Sequence, residues 1–437
     1  MNLSNLKQIF ADFGCNELYV KNLAANDNSK NQVYFGGNFD VINIFPFSDI
    51  VADDSAIGKR ERFKAEVNFY WIDDQGKAVH APHAKLILYP DYPEVRFSGF
   101  LKGSKNAPSY LMTNRIQDRL LFVAPDKKGN VLGFVVAPDT AIALEFRAID
   151  RLEEQGVFKK LELNGNQNTK DLLLAELCRI TNLGWINAKK LDVIGTPVPC
   201  NSSNCGGYTL EAELGVKPNG YAEPDFLGWE IKQFGVKRFT NINSRVITLM
   251  TPEPTHGFYK SKGTDYFIRT YGYPDRNGIE DRINFGGIHK VGQRHHLTNL
   301  KMELPGFDSN NGKIVNANGG IVLVDENGND AASWSFSSMI KHWNKKHNKA
   351  CYVPSINQQI AGGGKQYHYG NEVVLGIGAD FNLFLAGMSR GEIYYDPGIK
   401  LENASTNPKI KKRSQFRIKS GFIKELYKVN ETIKVCS

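Results

Sequence analysis

Leu210-Glu-Ala-Glu-Leu-Gly-Val-Lys-Pro-Asn-Gly-Tyr-Ala-Glu-Pro-Asp225-Phe-Leu-Gly-Trp-Glu230-Ile-Lys232 is the stretch on which the reading of this chain turns. A helix near Leu210 leads into a strand from about Trp229 to Phe234. Successive strand side chains point to opposite faces. Glu230 and Lys232 therefore share one face, and Ile231 turns to the other, toward a core. Asp225 follows Pro224, where a bend can carry it to the face of Glu230. Two carboxylates and an ammonium then converge, and Glu211 on the preceding helix offers a third carboxylate.

Phosphodiester hydrolysis uses such a set. Mg²⁺ takes oxygen ligands and keeps several waters, polarises a phosphoryl oxygen and lowers the pKa of a water. A lysine beside the developing negative charge stabilises it. On this reading Asp225 and Glu230 bind Mg²⁺, Lys232 assists the water and the charge, and Glu211 supports the metal shell. The bland alternative is a strand face with a solvated Glu–Lys pair, since a short Pro-Asp-x4-Glu-x-Lys pattern recurs by chance. Context favours chemistry: an apolar strand, Val246-Ile-Thr-Leu-Met250, follows, and basic clusters lie downstream.

At 437 residues the chain has room for two or three domains. Its 41% hydrophobic and 23% charged content argues against disorder and fibre. A net charge of +8 suits a polyanionic partner. The charge is concentrated in Lys409-Ile-Lys-Lys-Arg413-Ser-Gln-Phe-Arg417-Ile-Lys419. No apolar run reaches the length of a membrane span. The opening residues are amphipathic and carry acids, unlike a secretory signal. Cysteines at 15, 178, 200, 205, 351 and 436 are too irregular for a disulfide framework. They read as reduced thiols of a cytoplasmic protein without a membrane partner.

Residues 1 to about 160 read as mainly β. Short runs such as Val67–Ile72, Ala84–Tyr89 and Leu120–Val123 alternate with turn signals. Even spacing of this kind predicts a barrel or sandwich. One helix opens the chain and another is predicted over Met112–Leu120. The polar stretch before Lys170-Asp-Leu-Leu-Leu-Ala-Glu-Leu-Cys178 reads as a linker, with Thr169 capping the helix that follows. Beyond it helices and strands mix, including a helix over Phe336–His347 and strands near Ile393–Tyr395 and Phe416–Ile418.

The segments Tyr208-Thr-Leu-Glu211, Leu214-Gly-Val and Pro224-Asp225-x4-Glu230-Ile-Lys232 together resemble the MvaI/BcnI group of restriction endonucleases, within the PD-(D/E)xK nucleases. Leu249-Met-Thr-Pro-Glu-Pro-Thr, Trp334-Ser-Phe, His342-Trp-Asn-x-Lys-His347 and Tyr352-Val-Pro354 extend the likeness over most of residues 170 to 437. The resemblance implies an active site of Glu211, Asp225, Glu230 and Lys232. It also implies a monomer that nicks the strands of a short, nearly palindromic DNA site in turn. Tyr89-Pro-Asp-Tyr-Pro-Glu-Val-Arg96-Phe-Ser-Gly-Phe-Leu-Lys102-Gly resembles the EcoRII-like effector domain, a B3-like DNA-binding pseudobarrel. The combination resembles type IIE enzymes, implying CC(A/T)GG as the site and stimulation of cleavage by a second copy.

The expected architecture is therefore multidomain. A B3-like β-barrel effector domain spans 1–162, a linker 163–170, and an α/β nuclease domain with a mixed central sheet 171–437. In the effector domain Arg60, Arg96, Lys102 and Lys105 are candidate DNA contacts, with Lys59 and Arg62 nearby; the alternative is a solvated rim of charge. Arginine reads guanine best, and the resemblance favours Arg96. In the nuclease domain Asp396, Arg413 and Arg417 fall where the family places base-reading residues, Arg413 reading equally well as a phosphate contact. His295 and His296 read as DNA contacts or structural residues rather than zinc ligands, since nothing nearby completes a zinc spacing. Cys200-x4-Cys205 is likewise set aside as a metal site. The expected partners are double-stranded DNA, in two site copies, and a companion methyltransferase. The rivals are a strand-nicking repair nuclease and a non-catalytic B3-like regulator.

Overall fold

The computed structural model describes residues 1–25, 32–37, 41–42, 44–53, 61–90, 94–163, 169–217 and 224–436, without the side chains of residues 341, 344 and 345. They form two compact units, 1–166 and 167–437.

Among the described residues the first unit holds two sheets. Seven strands lie in the order Glu153–Gln155, Phe158–Glu162, Glu17–Leu23, Arg119–Pro125, Val131–Val136, Phe69–Ile72 and Ala78–Ala81. Five lie in the order Gln32–Gly36, Glu94–Ser98, Lys85–Tyr89, Phe63–Glu66 and Ile50–Ala52. Strand alternation sorts the faces: Val95 and Phe97 are buried, while Glu94, Arg96 and Ser98 are partly exposed. Aromatic rings join the sheets. Phe35 and Phe97 of the smaller sheet meet Phe158 and Phe69 of the larger with centroids 5.0 and 4.9 Å apart. Each such pair adds roughly 1 kcal/mol beyond area burial. Helices Leu3–Asp12 and Ala141–Arg147 cover the other face of the large sheet, packing Leu6, Phe10, Ile142 and Phe146 against Leu18, Leu120 and Phe122.

One expectation is narrowed here to its sandwich alternative, and one is corrected. Among the described residues neither sheet closes on itself, so no closed barrel forms. Alternating apolar residues specify a sheet with one buried face, and a sandwich satisfies that pattern as well as a barrel does. The helix predicted over Met112–Leu120 is also absent. A helix spans Ser109–Thr113, Asn114 is extended, Asp118 has φ +65°, and Arg119 opens a strand. Met112, Ile116 and Leu120 mimic a helical stripe by their spacing alone.

The second unit is organised around the long strand Lys349–Gln359. Glu230–Gly235 pairs with it in parallel, and Lys365–Tyr369 and Glu372–Ala379 pair antiparallel, so this sheet is mixed. Ile186–Asn187 and Tyr427–Lys434 extend it at either end. Helices Thr169–Asn182 and Cys205–Glu213 contribute Leu173, Leu177, Ile180 and Leu210 to a core with Trp229, Ile231, Cys351 and Val353. Smaller sheets form further along, one from Val246–Met250, Phe416–Lys419 and Ile393–Tyr395.

The expected linker falls mostly outside the described residues, and its last residues are already helical. Thr169 lies in helix Thr169–Asn182, and its hydroxyl accepts from the Trp229 indole N–H at 3.4 Å. The cysteines are not all free thiols, contrary to expectation. Cys178 pairs with Cys436 and Cys200 with Cys205, while Cys15 and Cys351 are free and buried. A pairing across 258 residues leaves no trace in spacing, because the fold alone carries Cys436 to the helix of Cys178. Among the described residues no helix is long and apolar enough to cross a membrane.

Candidate active site

The four residues between Asp225 and Glu230 form a tight hairpin. Phe226 and Trp229 exchange backbone hydrogen bonds of 3.0 and 2.8 Å, with Leu227 at φ +49° and Gly228 at φ +82°. Two consecutive left-handed residues are what a two-residue turn of this hand requires, and glycine meets that need at the second without strain. The hairpin turns Asp225 back over the start of the strand. There its Oδ2 accepts from the Ile231 N–H at 2.9 Å. Ile231 itself points into the core.

Glu230 is 1% exposed, an unusual place for a carboxylate unless it is paired. Its Oε1 lies 2.6 Å from Lys232 Nζ and 3.4 Å from Lys346 Nζ. Its Oε2 is buried and has no hydrogen-bond partner among the described residues. Burial, and then the Asp225 charge, raise Glu211 to about 7. Burial, and then Glu230, raise Asp225 to about 6, against the Ile231 N–H and the two lysines. Burial works against the Lys232 ammonium, but Glu230, Asp225 and Glu211 outweigh it and hold its pKa above the ordinary lysine value. Among the described residues, three carboxylates thus share two ammonium groups.

This arrangement fits a divalent cation. The buried, unpartnered Glu230 Oε2 is an acceptor without a donor, and the raised Glu211 and Asp225 are carboxylates short of positive charge. Among the described residues no three His, Cys, Asp or Glu side chains form a metal cluster. Mg²⁺ needs no such cluster, since one or two carboxylates suffice when waters and phosphates complete its shell.

The same shifts set a stability prediction. A carboxylate whose folded pKa lies above its unfolded value binds extra protons when folded. Its contribution to stability therefore declines as pH rises, here from about 4 to about 7 for Glu211. Glu211→Gln, which mimics the protonated form, is expected to melt on the order of 3 °C above wild type at pH 8.5 without metal. The gap should close by pH 5, and a wild-type chain that melts higher at pH 8.5 would contradict the assignment. Melting curves at the two pH values decide it.

The other sequence candidates are not part of this cluster. Arg417 Nη1 donates to Asp396 Oδ2 at 2.5 Å, and its Nε to Thr248 Oγ1 at 3.3 Å, so these two candidates satisfy each other. Arg413 is exposed, with its guanidinium against Gly398: a Cβ there would lie 2.8 Å from Nε. His295 stacks on His289 at 4.4 Å, with the His296 ring tilted against it at 5.0 Å, and its Nδ1 accepts from the Thr298 N–H at 3.3 Å. Burial, and then His296, lower its pKa; His296 itself is exposed.

In the first unit Arg96 is partly buried, 3.2 Å from Glu94 Oε1, with its guanidinium 5.8 Å from the Tyr89 ring centroid. Lys102 and Lys105 are exposed, and Arg62 pairs with Asp53 at 2.6 Å. Lys59 and Arg60 lie outside the described residues.

Two residues near this cluster, Lys346 and His347, had been quoted within a family-like segment but given no role in the site. They lie in His342-Trp-Asn-x-Lys-His347, the segment that extends the family likeness, on the helix Phe336–His347. Its Trp343 and His347 are fully buried and stacked at 4.3 Å. Burial, and then the nearby Lys232, push His347 down to about 3, so it stays neutral.

Residues 174–427, more than half of the chain, match the sequence profile of the MvaI/BcnI restriction endonuclease family. The chain is also similar to the solved structure of restriction endonuclease MvaI in complex with its cognate DNA substrate. That likeness has 18% identity and a TM-score of 0.46, and covers 62% of this chain and 100% of that one. To MvaI in the absence of DNA the identity is 19% and the TM-score 0.35, over 62% and 99% of the two chains. No curated protein sequence matches the chain. On the strength of the profile match, the chain belongs to the MvaI/BcnI restriction endonuclease family.

Proposed function

We propose that the chain is a Mg²⁺-dependent type II site-specific deoxyribonuclease, in which Asp225 and Glu230 hold the cation and Glu211 supports its shell. The observation that carries this reading is the buried Glu230 carboxylate. Lys232 shares one of its oxygens, the other lacks a donor, and Asp225 is folded back beside it. When bound, the cation supplies Lewis acidity toward a phosphoryl oxygen and lowers the pKa of a water. Asp225 and Glu230 orient that site, and the burial of Glu230 keeps bulk water from competing. Lys232, on the strand face of Glu230, orients the attacking water and offsets charge building on the phosphoryl oxygens as the 3′ oxygen leaves.

The substrate we assign is double-stranded DNA at CC(A/T)GG, cut by a monomer one strand after the other. We read the first unit as a B3-like effector domain of the type IIE kind. Its support is the EcoRII-like run from Tyr89 to Gly103 and the positive charge of Arg96, Lys102 and Lys105. A second site copy bound there stimulates cleavage. A cytoplasmic setting and a companion methyltransferase complete the proposal. In the second unit, the Asp396–Arg417 pair and the exposed Arg413 and His296 are the groups we assign to DNA, His295 buttressing His296.

Digestion of plasmids carrying one or two CC(A/T)GG sites, with the ends mapped, tests this. The expected result is linear DNA ending at those sites, with the one-site plasmid cut faster when a duplex oligonucleotide carrying the site is added. Open circles that persist would point to a strand-nicking repair enzyme. Binding without any Mg²⁺-dependent cutting would point to a non-catalytic regulator.

A further inference from the structure

The site contains a second lysine. Lys346 lies in the last turn of helix Phe336–His347, and its ammonium stands 3.4 Å from Glu230 Oε1, the oxygen that Lys232 already holds at 2.6 Å. The placement is built in. Phe336, Met339, Ile340, Trp343 and His347 are all fully buried along one stripe of that helix. The ring of His347 is within hydrogen-bond distance of the Leu249 carbonyl, 3.0 Å from Nε2. With the helix pinned at Trp343 and His347, a residue between them in the final turn has little freedom to leave the strand. Lys346 is 28% exposed, so the ammonium reaches Glu230 from the solvent side while the carboxylate is buried. Its charge is felt by Glu211 and Asp225 as well.

We infer that Lys346 is a positioning residue for Glu230: it keeps Oε1 paired so that Lys232 can leave that oxygen and attend to the phosphate. The inference rests on the nuclease reading for its second half, and on geometry alone for its first. A buried carboxylate stripped of its last cation carries a heavy penalty. If Lys232 were the only ammonium on Oε1, moving it toward a reacting group would leave that buried oxygen without a donor, and before a metal binds would leave Glu230 with no cation at all. A second ammonium on the same oxygen removes that conflict.

Two measurements decide it. The first needs no cutting: a melting cycle of wild type, Lys346→Met, Glu230→Gln and the double variant, without metal. Lys346→Met is expected to lower Tm by about 2 °C in the wild-type background and to leave it unchanged in the Glu230→Gln background. Equal shifts in both backgrounds overturn the pairing. The second is steady-state cleavage in Mg²⁺. Lys346→Met is expected to lower kcat by about 10- to 100-fold with KM within about twofold, and Lys346→Arg to recover most of the loss. Full activity in Lys346→Met overturns the positioning role, as does an arginine variant as slow as the methionine one. A wild-type protein that cuts nothing removes the nuclease reading and the role of Lys232 with it, while the melting cycle still decides the pairing.

Discussion

Lys232→Ala is expected to lose about 10³-fold in cleavage rate in Mg²⁺ while binding its DNA site in Ca²⁺ as wild type does. In the proposed mechanism Lys232 supplies a positive charge to the reacting phosphate from the face of Glu230, and alanine removes that charge without placing anything in its stead. The backbone around it is set by pairing with Lys349–Gln359, in which Lys232 faces Tyr352. Deleting one side chain therefore leaves the strand in register. Lys346 remains 3.4 Å from Glu230 Oε1, so the carboxylate keeps a cation and the fold should survive. The measurements are single-turnover cleavage and gel-shift binding of the same duplex. Cleavage within about tenfold of wild type would remove Lys232 from the chemistry.

Asp225→Asn is expected to be as severe, but through the cation. The asparagine carbonyl can still accept from Ile231 N–H, so the hairpin Phe226–Trp229 is retained. What disappears is one of the two anionic groups assigned to the metal. Loss of Lewis-acid stabilisation worth several kcal/mol corresponds to at least about 10³-fold in rate. Ca²⁺ is expected to raise the Tm of the wild-type protein, since a cation that binds only the folded state stabilises it by mass action, and the variant should lose that rise. Retention of both the rate and the Ca²⁺ shift would place the cation elsewhere.

Much of this centre was legible before the fold was known, because strand alternation is a strict rule. Given a strand at Glu230, Lys232 had to share its face and Ile231 had to oppose it. The spacing of Asp225 became intelligible only with the hairpin, in which a non-glycine residue, Leu227, adopts a left-handed conformation that sequence gives no reason to expect. The meeting of Lys346 with Glu230 was hidden for a different reason. Lys346 lies far from Glu230 in the chain, and a lysine in the last turn of a helix normally reads as a cap for the dipole. The missed helix over Met112–Leu120 and the unforeseen Cys178–Cys436 pair have the same origin. Periodicity and spacing report local geometry, whereas an Asp118 turn or a meeting of distant thiols is decided by packing. Asp396 and Arg417 were singled out separately, and the sheet makes them partners: Tyr395 and Phe416 are paired across it, which sets the two side chains within reach.

The claim beneath all of these expectations is that one cation is seated between Asp225 and Glu230. Anomalous scattering from crystals of the wild-type protein soaked in Mn²⁺ examines it most directly. A peak is expected within coordinating distance of both carboxylates. A site that stays empty at saturating Mn²⁺, or manganese bound only by other residues, would contradict it.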